Sequence, residues 1–213
     1  MVEQQVVARG VRDARVLAAM RAVPRESFIP VRDRARAYDD SPLPIGEGQT
    51  ISQPYIVALM SELADVQPGE RVLEVGTGSG YQAAVLAELT RPDQVYTIEI
   101  LPGLAASARR ALNAAGYHAI HAKTGDGYLG WPEAAPLDAI LVTAAAPEIP
   151  PALLGQLATT GRLVIPVGPV GVVQMLRVVE RQPDGEFVSR DVLPVSFVPL
   201  VRGPDERDSP PSR

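Results

Sequence analysis

The feature that most restricts this chain is the run Arg71-Val-Leu-Glu-Val-Gly-Thr-Gly-Ser-Gly80, in which a short apolar strand ends in an acid and meets glycines at 76, 78 and 80. Few folds can use such a junction. The apolar run suits a strand buried on both faces, and glycines remove side chains where backbone must turn sharply and approach a ligand. A helix following at once would point its free amides at the same place. A second strand-like run, Gln94-Val-Tyr-Thr-Ile-Glu99, also ends in an acid, 25 residues after Glu74 and 19 after Gly80. Doubly wound nucleoside sites place a carboxylate that accepts both ribose hydroxyls at about this distance.

The pattern around that junction alternates. The spacing predicts strand 71–75, helix 79–89, strand 94–99, helix 103–115, strand 118–123, strand 137–143, helix 151–158 and strand 161–167. Such alternation gives an α/β fold with a doubly wound, mostly parallel sheet covered by helices on both faces. After Gly171 two β-rich runs, 172–181 and 187–201, flank Pro183-Asp-Gly185, which predicts a C-terminal antiparallel hairpin. Upstream, Val11, Leu17, Ala18 and Met20 among charges predict an amphipathic helix over 11–23, halted by Pro24. Residues 24–50 lose periodicity and collect prolines and glycines. Because they lead into an apolar helix from Pro54 to about Ala64, they are expected to be ordered and wrapped over the ligand site. The chain thus divides into an N-terminal helical and loop cap over 1–69, a core over 70–203, and a Pro-rich tail, 204–213, expected to be disordered.

Composition narrows the function classes. The 213 residues suffice for one domain with a real core, and 46% hydrophobic with 21% charged residues is ordinary for a globular protein. A net charge of −5 argues against a broad phosphate-tracking surface, so nucleic acid is not the expected partner. No cysteine is present, which removes disulfides, thiolate nucleophiles and cysteine-ligated zinc. The two histidines, His118 and His121, fall three apart on a predicted strand and hence on opposite faces, so no metal site is expected. The start, Met1-Val-Glu-Gln-Gln, lacks a basic-then-apolar signal, and no run of 18 apolar residues occurs. The expectation is a cytoplasmic monomer without membrane contact.

The choice of nucleoside rests on spacing. A dinucleotide site wants G-x-G-x-x-G, and Tyr81 stands where its third glycine should fall. No Lys-Ser or Lys-Thr follows the glycines, so a phosphate-cradling loop is also disfavoured. The remaining pattern, acid-x-Gly-x-Gly-x-Gly with an acid ending the next strand, resembles the cofactor motif of S-adenosylmethionine-dependent methyltransferases; a tight turn in an unrelated α/β protein is the competing account.

Three further segments fall where open α/β sheets bind ligands or beside that place. Asp126, between Gly125 and Gly127, is either an acceptor for an adenine amino group or part of an Asp- and Gly-rich turn. Thr143-Ala-Ala-Ala-Pro147 either leaves room for a transferred group or packs helix against strand. Ser52, ahead of the proline-started helix, taken alone reads as a helix cap worth ~1 kcal/mol.

Taken together, the run 42–55 (Pro42-Leu-Pro-Ile-Gly-Glu-Gly-Gln-Thr-Ile-Ser-Gln-Pro-Tyr55), the run 73–82, Gly125-Asp-Gly127, residues 138–150 and Phe197-Val-Pro-Leu-Val201 resemble bacterial protein-L-isoaspartate O-methyltransferases, block by block and in order, from about Val23 to Gly203. The Gln-Thr-Ile-Ser block is the specific part. The resemblance implies a methyl transfer from S-adenosylmethionine, giving S-adenosylhomocysteine, to the free α-carboxylate of isoaspartyl residues in damaged proteins and peptides. It implies Ser52 as the active-site residue, Thr50 and Ile51 beside the methyl donor, Glu74, Gly76, Gly78 and Gly80 around the methionine part, Glu99 on the ribose, and Asp126 with Gly127 at the adenine. The Pro-rich tail after Gly203 departs from the family pattern. A methyltransferase of a small metabolite, a binding module without turnover and a dehydrogenase are the competing readings.

Overall fold

The structure is a computed structural model that describes residues 1–169 and 171–203. The expectation for 204–213 lies outside the described residues. The first helical turns, Val2–Val6 and Val7–Arg9, end at Gly10, whose φ of 102° is a left-handed stop that glycine tolerates. Helix α1 (Ala14–Ala22) then starts at Asp13, whose side chain accepts from Arg15 N at 2.7 Å. A short hairpin follows, β1 (Leu43–Gly46) and β2 (Gln49–Ile51), turning at Glu47 and Gly48, which both have positive φ. Helix α2 (Pro54–Ala64) comes next, its proline supplying the pre-set φ of a first helical turn.

The core then alternates as the spacing predicts. In order come β3 (Val72–Val75), α3 (Tyr81–Leu89), β4 (Val95–Glu99), α4 (Pro102–Ala114), β5 (His121–Thr124), β6 (Leu137–Val142), α5 (Pro151–Gln156), β7 (Leu157–Val167), β8 (Gln174–Arg181) and β9 (Phe187–Val195). The seven strands pair in the order β5-β4-β3-β6-β7-β8-β9. Pairing is parallel from β5 through β7 and antiparallel across β7–β8–β9, so the expected C-terminal hairpin extends the sheet as a plain meander.

Strand residues alternate between two hydrophobic clusters. Val72, Leu141 and Val164 face the cluster shared with α1, α2 and α3, whereas Leu73, Ile140, Val142, Leu163 and Ile165 face the one beneath α5. This period of two buries both faces of the central strands. The N-terminal valines Val2, Val6 and Val11 belong to the first cluster, so the cap shares its apolar core with the sheet.

Several boundaries differ from the sequence reading, and three of them have a clear cause. Strand β5 begins at His121 rather than 118, because Gly116 (φ 92°) ends α4 with Tyr117 N donating to Leu112 O at 2.9 Å, and His118 falls in the turn beyond. Helix α5 stops at Gln156, after which Leu157 already pairs with Leu137 in β6. The last predicted strand ends at Val195; residues 198–200 leave β9 and bond Ala145 instead, with Ala145 N donating to Val198 O and Leu200 N donating to Ala145 O, both at 2.8 Å. Among the described residues no helix is long and apolar enough to cross a membrane.

Candidate active site

The strand order reverses at β3, with β4 and β5 to one side and β6 to the other. Ligands bind at the carboxyl ends of strands on either side of such a switch, and here the ends carry Glu74, Glu99 and Thr143. A cleft of about 780 Å³, counting its mouth, opens there. Its walls include Thr50, Ile51, Ser52, Glu74, Gly76, Gly78, Glu99 and Gly127 from the sequence-predicted set. Gly80 and Asp126 are not part of the lining.

Each of those residues is held by a local cause. Gly76, Gly78 and Gly80 have φ of 98°, 54° and 91°, all left-handed. Only Gly78 sits with its α-carbon turned toward the cover, since a Cβ there would lie 3.4 Å from Ile45 of β1. At Gly76 a Cβ would lie 2.5 Å from Thr143 Oγ1, and at Gly80 it would lie 3.1 Å from Leu112. The first glycine therefore leaves room for Thr143 in the cleft wall, and the third for helix packing against Leu112 behind it.

Glu99 accepts from Gly78 N at 2.8 Å through Oε2 and from Leu101 N at 3.1 Å through Oε1, which fixes the carboxylate against the glycine turn. Lone pairs remain on both oxygens for a pair of hydroxyls. Glu74 is 1% exposed. Its Oε2 accepts from Thr97 Oγ1 at 2.5 Å, and Thr97 Oγ1 lies 2.6 Å from Thr77 Oγ1, a short hydroxyl chain ending on the acid. Its Oε1 is buried with no hydrogen-bond partner. Burial pushes the Glu74 carboxyl up to about 8; the Thr97 hydrogen bond opposes this and the nearby Glu99 charge adds to it. An unpartnered carboxyl oxygen in the wall of a cleft that also holds Glu99 fits a ligand carrying an ammonium or sulfonium group beside a ribose.

The residues of Gly125-Asp-Gly127 and Thr143-Ala-Ala-Ala-Pro147 differ in their surroundings. Asp126 accepts from Tyr128 N at 2.8 Å through Oδ1 and from Gly203 N at 3.0 Å through Oδ2, which holds a turn and the end of the C-terminal segment and leaves a lone pair on each oxygen. Gly127 lines the cleft, and a Cβ there would run into Val75. Thr143 donates to Gly76 O at 2.6 Å and, with Ala144, faces the cleft. Ala145 and Ala146 are fully buried and carry the bridges to Pro199 and Val167.

Ser52 is not the cap of α2. The cap position is Gln53, no side chain bonds the helix amides there, and Pro54 lacks an N–H in any case. Ser52 instead stands between two cavities. A second groove, about 1200 Å³ with its open mouth, runs along Leu193–Val198 and shares Thr50, Ser52, Thr143 and Val198 with the cleft. The two cavities adjoin at those four residues.

Comparison with known proteins agrees with this geometry. The family profile described as protein-L-isoaspartate(D-aspartate) O-methyltransferase (PCMT) matches residues 1–205. The chain belongs to that family. A protein-L-isoaspartate O-methyltransferase from Opitutus terrae is 56% identical over 202 residues, 95% of this chain and 85% of that protein. One from Methylorubrum extorquens is 60% identical over 203 residues, covering 95% and 87%. Among solved structures, a Plasmodium falciparum protein described as a beta-aspartate methyltransferase, in complex with S-adenosyl-L-homocysteine, superposes with a TM-score of 0.80 at 26% identity, covering 92% of this chain and 95% of that one.

Sequence reasoning within the family pattern missed several contributors. Arg9 lines the second groove with its guanidinium 3.6 Å from the Tyr55 ring centroid. Thr77 and Thr97 form the hydroxyl chain to Glu74. Residues 198–201 belong to a block legible in the sequence, Phe197–Val201, but the sequence assigns it no place in the cleft, which these residues wall from the far end of the chain. Arg9, Thr77 and Thr97 have no local signature of these roles; the covering hairpin has one, the turn Gly46-Glu-Gly48 flanked by Leu43-Pro-Ile45 and Gln49-Thr-Ile51.

Proposed function

We propose that the chain transfers a methyl group from S-adenosylmethionine to the free α-carboxylate of L-isoaspartyl residues in damaged proteins and peptides, leaving S-adenosylhomocysteine. The observation that carries this reading is the meeting of the acid-lined cleft with an open groove at Ser52 and Thr143, where no ionisable side chain is among the shared residues. When bound, the cofactor supplies a methyl group on a cationic sulfur. In this reading Glu74 faces the cationic part, Glu99 holds the ribose hydroxyls, and Gly127 lies against the base.

A carboxylate acceptor has a pKa near 4 and is ionised at neutral pH, so the junction needs no general base. What it needs is orientation and the exclusion of water, because a cation and an anion are consumed and water stabilises them when separated. The Ser52 hydroxyl can donate one hydrogen bond to the acceptor without clamping it as a bidentate arginine would. The hairpin β1–β2 covers the cleft through Ile45. The extended groove wall at Leu193–Val198 suits a polypeptide acceptor better than a small metabolite. With the reading goes a cytoplasmic monomer that acts on polypeptide and not on nucleic acid or membrane; the net charge of −5 and the lack of cysteine support it.

The test is incubation with labelled S-adenosylmethionine and two peptides identical except for isoaspartate or aspartate at one position. Label is expected only on the isoaspartyl peptide, in a base-labile ester. Equal labelling of both, or of neither, would overturn the assignment.

A further inference from the structure

Among the described residues that line the groove, Arg9 is the one charged side chain. Its place is set from two sides. Val2 and Val6 bury the preceding helical turns in the core, and Gly10 ends them immediately after Arg9. The guanidinium then stacks on Tyr55 in the first turn of α2 and pairs with Asp40 through Nη1 at 3.2 Å. Stacking fixes the plane of the group. The pair with Asp40 is half-exposed, 42% and 35% by side chain, so its strength is modest and a second carboxylate can compete for the cation. The other guanidinium N–H groups make no hydrogen bond within the described residues.

Arg9 walls the groove but not the cleft, whereas Thr50, Ser52, Thr143 and Val198 wall both. The reacting carboxylate has to reach the shared residues. What meets Arg9 is therefore another part of the acceptor. We propose that Arg9 is a specificity-determining residue that recognises an acidic side chain flanking the isoaspartyl residue, with Asp40 as its resting partner. The proposal rests on the reading of the groove as the polypeptide acceptor site. Acceptors with a neighbouring Asp or Glu are then favoured over those with a neighbouring Lys through KM, since the contact is the same before and during transfer.

The experiment uses three isoaspartyl peptides that differ at one flanking position, Glu, Gln or Lys, with KM and kcat measured for each at low and high salt. The wild-type protein is expected to rank them Glu, Gln, Lys by rising KM, with about two- to fivefold between the extremes, the range that a half-exposed ion pair gives. High salt should compress the ranking. In Arg9→Gln the ranking should collapse while kcat for each peptide moves less than KM. Asp40→Asn, which removes the competing carboxylate, should widen it, and this arm stands even if Arg9→Gln does not fold. A wild-type protein that turns over all three peptides without ranking them, a folded Arg9→Gln that keeps the ranking, or an Asp40→Asn that leaves it unchanged overturns the role of Arg9. Failure of the wild type to methylate any of the three overturns the underlying reaction assignment instead.

Discussion

Glu74 shows how one buried side chain ties cofactor chemistry to stability. Its folded pKa of about 8 stands above the usual value of 4.5 because burial disfavours the charge. The sign follows from proton counting. Between those two values the unfolded chain releases the proton and the folded one keeps it, so the ligand-free protein loses stability as pH rises, by up to ~1.4 kcal/mol per pH unit. Glu74→Gln removes that slope. Urea unfolding of the ligand-free proteins at about pH 5 and about pH 8 should show the variant gaining on the wild type as pH rises, and parallel pH profiles would contradict this. The same change should weaken cofactor binding, since a neutral amide no longer answers a cation. Ser52 makes the opposite case, a residue with little structural duty. Because α2 takes no side-chain cap, Ser52→Ala should leave the melting temperature nearly unchanged, within about 0.5 kcal/mol. Its kcat should nevertheless fall by roughly ten- to a thousandfold through lost orientation and one lost hydrogen bond. Full turnover in the folded variant would remove Ser52 from the chemistry.

The glycine turn after β3 behaves as a unit whose members have different duties. Gly76 has φ 98° and no room before Thr143 Oγ1, so Gly76→Ala meets both backbone strain and a clash with a side chain locked on Gly76 O. A loss of about 2–4 kcal/mol is expected from those two terms together. Gly78→Ala, at φ 54° and with only ordinary contact to Ile45, should lose about 1 kcal/mol. Its effect should fall on cofactor affinity instead, because Gly78 N holds Glu99 and faces the cleft. Denaturant unfolding and calorimetric titration on both variants check the ordering, and equal destabilisation of the two would refute it. The segment after β9 is an element of another kind. Pro199 cannot donate to a ladder, and the segment leaves the sheet edge and is caught by Ala145, Gln174 and Asp126.

Across the molecule, the cleft is assembled from stretches as far apart as residues 49–52 and 198–201, held over strand ends from β3, β4 and β6. A ligand that bridges these pieces stabilises the whole fold, since the unfolded chain cannot bind it. At a hundredfold excess over its dissociation constant the gain is about 2.7 kcal/mol. For a chain of this size each kcal/mol corresponds to roughly 2–4 °C, so S-adenosylmethionine or S-adenosylhomocysteine should raise the melting temperature by about 5–11 °C. NADH at the same concentration should leave it unmoved. A shift with NADH alone would revive the dehydrogenase reading.

What could be read from the chain alone is what depends on near neighbours. The apolar run of β3, its closing acid, the left-handed glycines, the acid ending β4 and the strand–helix alternation are properties of a few successive residues. Period and turn chemistry record them, and with them the parallel sheet and most of the cleft wall. The short block around Ser52 was likewise legible, although its geometry at the junction was not. The rest depends on residues distant in sequence becoming neighbours. Packing of α3 and α4 behind the cleft, and of β6 against β3, turns Gly80 toward Leu112 and Gly76 toward Thr143. Asp126 is engaged by Tyr128 and by Gly203, 77 residues away. Arg9 stands over Tyr55 and along Leu193–Val198 because buried valines dock its turn there. No local pattern carries such contacts; they exist only once the apolar faces have been buried and the unpaired backbone and side-chain groups have found their partners.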